Sequence, residues 1–207
     1  HLGGAKAAAV RYNSARTRSG LSLVQEIGTL HARGGLIMGI CNGFQLLAKL
    51  GLLPGLPDAP RERCLSLSHN DSGRFEDRWV HLRCPPDSPC VFTRGLERLF
   101  LPVRHGEGKL IPLDAEILHL LEAHRLIAMQ YTDAHGELTQ DYPHNPNGSP
   151  LGIAGLCDPS GRIFGLMPHP EAYNHPTNHP SWTRGDAATL GTRLFARGIE
   201  FINNQSS

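Results

Sequence analysis

The sequence predicts an α/β protein built on a doubly wound, mostly parallel sheet. Three observations carry that expectation. Residues 36–40 (LIMGI) form a short, continuous apolar run, the pattern of a strand buried on both faces. Segments with apolar residues at helical spacing flank it, at 21–33 (LSLVQEIGTLHAR) and 42–50. Helix, buried strand and helix therefore follow one another, and more short strands come later, as layered α/β folds require.

Taken in order, the chain opens on HLGGAKAAA, read as a glycine-rich loop feeding a helix. The 21–33 helix is stopped by Gly34-Gly35. The helix at 42–50 runs through Phe44, Leu46, Leu47 and Leu50 and ends before Pro54. Strands follow at 74–84, 99–104 and 125–131, several of them alternating, with a helix at 114–124 among them. Two late strands, 152–157 and 162–167, are joined by the turn Asp158-Pro159-Ser160-Gly161, and a helix near 186–203 closes the chain. A doubly wound sheet ordinarily opens with a strand, a turn and a helix, yet only one parallel strand precedes Cys41. The expectation is a single domain over 1–207 that lacks its N-terminal βα units, at about 30 residues each.

Composition narrows the function classes. The 207 residues can bury one sizeable core, and the net charge of +1 is spread without blocks. Nothing in it points to nucleic acid or an anionic membrane as partner. No apolar run reaches the roughly 18–20 residues that span a bilayer, and the first residues lack the apolar core of a cleavable signal. Five cysteines are a modest, odd count, read as reduced thiols of a cytoplasmic protein.

One cysteine stands apart. Gly39-Ile40-Cys41-Asn42-Gly43 joins the buried strand to the next helix in the pattern of a nucleophile elbow, with cysteine in the place of serine. Glycines allow the tight, strained turn that lifts the sulfur above the sheet. The helix N-terminus there favours thiolate, and the N–H of Asn42 is placed to donate to an oxyanion. A buried structural cysteine in a turn fits an isolated pattern of this kind about as well. For Cys64, Cys84, Cys90 and Cys157, which lack flanking glycines, the structural reading is favoured; Cys84 and Cys90 bracket PPDSP without a second pair to make a zinc site.

A thiol nucleophile needs an acid/base partner. In LMPHPE (166–171) prolines follow Met167 and His169, which holds the segment extended and puts His169 and Glu171 on one side. The carboxylate can then hold one imidazole nitrogen and leave the other for the thiol. His169, His175 and His179 fall close together, but prolines break any helix that would align them on a metal; His175 and His179 read as surface loop residues.

At these residues the sequence resembles the class I glutamine amidotransferases, a flavodoxin-like α/β family with a Cys-His-Glu triad. GICNGFQ (39–45) and MPHPE carry the resemblance. NDSGRFEDRWV (70–80), PVRHGEGKL (102–110) and YPHNPNGSPLGIAG (142–155) narrow it to the glutaminases of phosphoribosylformylglycinamidine synthases, in purine biosynthesis. The resemblance implies Cys41 as nucleophile, His169 as base and Glu171 as orienting acid, with the Asn42 N–H in the oxyanion hole. It further implies Gly43, Gln45, His105, Gly106 and Glu107 as glutamine contacts. A second oxyanion donor belongs to a loop expected upstream of His1. The implied reaction hydrolyses L-glutamine and passes ammonia to a synthetase subunit or domain, which binds ATP and Mg; no cofactor, metal, nucleic acid or membrane is expected on this chain. A cysteine hydrolase of another substrate, and a non-catalytic module that only binds partners, are the alternatives.

Overall fold

A computed structural model describes residues 2–56, 64–185 and 189–205. In chain order the described residues form α1 (Leu2–Ser14), α2 (Leu23–Ala32), β1 (Ile37–Ile40), α3 (Asn42–Lys49), β2 (Leu65–Ser68), β3 (Glu76–Arg83), β4 (Arg98–His105), β5 (Lys109–Pro112), α4 (Ala115–Ala123), β6 (Ile127–Thr132), β7 (Ile153–Cys157), β8 (Ile163–Leu166) and α5 (Arg193–Gln205). Six strands make the main sheet in the order β1-β8-β7-β6-β3-β4, and β2 pairs with β5 in a separate two-stranded sheet.

Local chemistry explains the element ends. Ser22 starts α2 with a capping box, its hydroxyl accepting from Gln25 N–H while the Gln25 side chain accepts from Ser22 N–H. Asp114 caps α4 through Ile117 N–H at 3.1 Å. The turn between β7 and β8 is held by Asp158, whose carboxylate accepts from the backbone N–H of Ser160, Arg162 and Ile163. The core fills the space around β6, β7 and β8, where Ala128, Met129, Tyr131, Ala154, Leu156, Phe164 and Leu166 are fully buried.

The α/β class stands, with three corrections to the sequence reading. The sheet is mixed: β1 pairs with β8 in parallel, while β8–β7, β7–β6, β6–β3 and β3–β4 are antiparallel. A parallel neighbour needs a long crossover, whereas the five residues between β7 and β8 can only reverse the chain. Gly3 and Gly4 lie within α1, where Ala5 and Ala9 are buried, so the opening residues are helix and not loop. Finally, β2 and β5 are strands too short for alternation to reveal. The closing helix begins at Arg193, and residues 186–188 of the expected segment lie outside the described residues.

Candidate active site

Two adjacent parallel strands deliver the reactive groups. Ile40 of β1 pairs with Leu166 of β8, so both strands end at one level. The N–H of Cys41 donates to Leu166 O at 2.7 Å, and the Cys41 carbonyl accepts from Gln45 N–H as α3 begins. Cys41 is left at φ 51°, ψ −103°, a left-handed conformation that a side chain adopts only under constraint. Gly39 makes the turn possible: a Cβ there would sit 2.6 Å from Leu47 Cδ1 and 2.7 Å from the Gly43 carbonyl. Gly165 does the same on β8, where a Cβ would run into the Phe44 ring. Gly43 differs, because a Cβ on it would meet nothing within 4 Å, so it faces open space beside Cys41.

His169 follows β8 directly. Its N–H donates to Pro102 O at 2.8 Å, and Cys41 Sγ lies 4.0 Å from Arg104 O. Both carbonyls belong to β4, the strand at the opposite end of the sheet order from β1. The sheet therefore curls until its far edge closes over the ends of β1 and β8. His169 Nδ1 sits 2.6 Å from Glu171 Oε1, and Nε2 is buried with no hydrogen-bond partner. The pairing arises differently from the expected extended step, since Pro170–Ala172 form a 3-10 turn with His169 at its N-cap. Proline is favoured at the first position of such a turn, which is what swings Glu171 back onto the ring.

The segment after Glu171 is anchored by aromatic packing. Tyr173 meets Trp79 edge-on at 5.0 Å, and His179 packs against Trp79, Phe100 and Tyr173 at 5.4–5.9 Å. His179 is buried, contrary to its reading as a surface histidine, because the turns after each proline fold it back onto β3 and β4. His175 is exposed and bonded locally to Thr177. Among the described residues no group of three His, Cys, Asp or Glu side chains is arranged to hold a metal.

Electrostatics set the resting state. Burial pushes the Cys41 thiol above its ordinary range; the Asn42 backbone N–H pulls it down, and the charges of Glu171 and Glu107 push it up again. Desolvation thus works against the expected thiolate and favours the thiol. His105 is fixed as a neutral ring: burial, with His169 nearby, lowers it to about 4, although Glu76 across the β3–β4 pair pulls the other way. Its Nδ1 lies 3.1 Å from Asn70 Oδ1, and that oxygen also accepts from Gly108 N–H at 3.0 Å. Nδ1 must therefore carry the proton, and His105 Nε2 is a buried lone pair without a donor.

The remaining expected contacts fall together beside α3. Gln45 is buried at 1% exposure; its Nε2 donates to Glu107 O at 2.7 Å and its Oε1 accepts from Asn42 Nδ2 at 2.9 Å. Gly106 and Glu107 lie in the loop between β4 and β5, half-buried. Residues without an assigned role in the sequence are also here: Asn70 and Asn147, from the NDSGRF and NPNGSP motifs, are buried against the 105–108 loop. The motif strings marked them, but nothing local said that they point inward.

Comparison with known proteins identifies the family. The CobB/CobQ-like glutamine amidotransferase domain matches residues 2–202. Phosphoribosylformylglycinamidine synthase subunit PurQ of Dehalococcoides mccartyi is 48% identical over 188 residues, covering 87% of this chain and 69% of that protein. Its namesake in Methanococcus maripaludis is 44% identical over 151 residues, covering 72% of this chain and 54% of the relative. The chain thus spans between about half and about two thirds of the PurQ subunits it matches. Among solved structures, PurLQS from Thermotoga maritima superposes with a TM-score of 0.61 at 30% identity, over 87% of this chain and 68% of that one. The chain belongs to the CobB/CobQ-like glutamine amidotransferase family and, within it, to the PurQ glutaminases of phosphoribosylformylglycinamidine synthase.

Proposed function

We propose that this chain is the glutaminase component of a phosphoribosylformylglycinamidine synthase, hydrolysing L-glutamine through Cys41, His169 and Glu171. The observation that carries the reading is the His169–Glu171 pair, with Nδ1 held and Nε2 unpartnered, at the end of the strand beside the cysteine turn. Cys41 Sγ attacks the side-chain amide carbon as its proton passes to His169 Nε2. The Asn42 N–H donates to the oxygen that becomes negative. His169 returns the proton to the nitrogen, the C–N bond breaks, and ammonia leaves a thioester on Cys41. Water, deprotonated by the same ring, cleaves the thioester to glutamate and restores the thiol. Glu171 keeps the ring in one tautomer and stabilises its charged form, a contribution of the general acid–base kind worth about 10²–10⁴-fold.

Glutamine is held at the open space beside Gly43 and bordered by Gly106 and Glu107, while the buried Gln45 and His105 support that loop from behind. The ammonia is consumed by a synthetase subunit or domain that binds ATP and Mg, in the cytoplasm where purine synthesis proceeds. The test is release of ammonia and glutamate from L-glutamine by the full-length protein with its synthetase, compared with a Cys41→Ala variant. Activity abolished by Cys41→Ala supports the reading. No hydrolysis of glutamine by the wild type overturns it, in favour of another substrate if Cys41 still reacts with other amides or esters, or of a partner-binding module if it does not.

A further inference from the structure

The NPNGSP loop lies outside the triad, yet its polar residues are buried. Asn145, Asn147 and Ser149 are 2%, 0% and 0% exposed. Each is fully engaged. Asn147 Oδ1 accepts from Ser149 N–H at 3.0 Å and from Ser149 Oγ–H at 2.7 Å, closing the loop on itself. Its Nδ2 donates outward, to Gly108 O at 2.9 Å and to Tyr131 Oη at 3.1 Å. Gly148 sits at φ 76°, a conformation that favours glycine, and a Cβ on it would meet the Asp71 carboxylate.

Gly108 ends the 105–108 loop, which is gripped from a second direction. Asn70 Oδ1 accepts from Gly108 N–H, and Asn70 Nδ2 donates to His105 O at 2.8 Å. Between these clamped ends lies Glu107, whose carbonyl accepts from Gln45; Gln45 in turn accepts from Asn42, the neighbour of the nucleophile. Hydrogen bonds joined through the Glu107–Gly108 backbone thus link the Asn147 amide to Asn42, the residue proposed to supply the oxyanion donor. We propose that Asn147 is a positioning residue for glutamine binding: its amide donor, with Asn70 opposite, sets the backbone of the 105–108 loop and thereby the place of Glu107, Gln45 and Asn42. The inference rests on the glutaminase reading above.

Two variants in the full-length protein with its synthetase separate this role from packing. Asn147→Asp keeps the size and the acceptor oxygen for Ser149 but removes the donor to Gly108. Asn147→Ala removes both. Loss of one such buried bond is worth about 5- to 150-fold in an equilibrium, so both variants are expected to raise KM for glutamine by at least about fivefold, with kcat reduced less. Leu121→Ala, in the fully buried face of α4 away from the site, serves as the control for stability loss alone, and its KM is expected to stay at the wild-type value. An Asn147→Asp variant whose KM stays within about twofold of wild type, or a Leu121→Ala variant whose KM rises as much, overturns the proposal. Should Asn147→Ala not fold, the isosteric Asp variant alone decides. A wild type without glutaminase activity would instead remove the functional reading and leave the clamp a structural device.

Discussion

Glu171 Oε1 lies 2.6 Å from His169 Nδ1, while the opposite nitrogen of the same ring is buried and accepts no hydrogen bond. One side of the imidazole is committed and the other is kept for chemistry. Glu171 is itself about half exposed, whereas the His169 side chain is only 19% exposed.

Replacing that carboxylate tests the division of labour. Glu171→Gln preserves shape but cannot stabilise the imidazolium, which forms only as the proton moves. Its kcat is expected to fall about 100- to 10,000-fold with KM for glutamine changed little. Steady-state kinetics decide it; a raised KM with intact kcat would make Glu171 a binding residue.

Selective modification of Cys41 is expected to depend on substrate shape. All five cysteines are free and buried, and burial raises Cys64 and pushes Cys84 up to about 12. Exposure therefore gives no advantage to any of them. A diazo-ketone analogue of glutamine should nonetheless label Cys41 alone, and excess glutamine should protect it. Peptide mass spectrometry showing the adduct on another cysteine would remove Cys41 from its role.

The glycines of the elbow region predict opposite outcomes. Gly165→Ala drives a methyl group into the Phe44 ring and to 2.7 Å from Leu53 Cδ1. A loss of about 1–3 kcal/mol is expected in denaturant unfolding, together with lost activity as α3 shifts. Gly43→Ala meets open space within α3, so stability should be kept or slightly raised. A raised KM in that variant would then report its place in the glutamine pocket, and unchanged kinetics would put the pocket elsewhere.

His105 makes stability depend on pH. In the fold it is held down to about 4, against an ordinary value of 6.5. Between those values the unfolded chain binds a proton that the native protein refuses, so stability rises with pH across this window and is lost as pH falls from 6.5 toward 4. The upper bound is roughly 3 kcal/mol. Melting curves of wild type and His105→Asn should therefore show a wild-type pH dependence in this range that the variant lacks. Parallel curves would place the pH dependence on other groups.

Much of this was readable from the sequence. Local periodicity located β1, α3, α4 and the late strands, because a buried run and a helical stripe depend only on neighbours a few residues away. Gly39 and Cys41 announced the turn, since a close approach of strand and helix admits no side chain at position 39. Elements of four residues such as β2 are too short for a pattern, and a short hairpin connection, not apolar content, is what made β8 antiparallel to β7.

By itself, then, the sequence determined the residue types of the proposed triad, their order, and the sharp turn at Cys41, but not the 3-10 turn that swings Glu171 onto His169. Only the tertiary structure decided that β4, last in the sheet, curls back to present the Pro102 and Arg104 carbonyls to His169 and Cys41. It also decided that His179 is buried, that Asn70 and Asn147 point inward, and that desolvation outweighs the helix N-terminus at Cys41. The physical reason is one of range. Backbone conformation at a turn follows from adjacent side chains, whereas burial, pairing across a curled sheet and the charge state of a thiol depend on groups brought from distant parts of the chain.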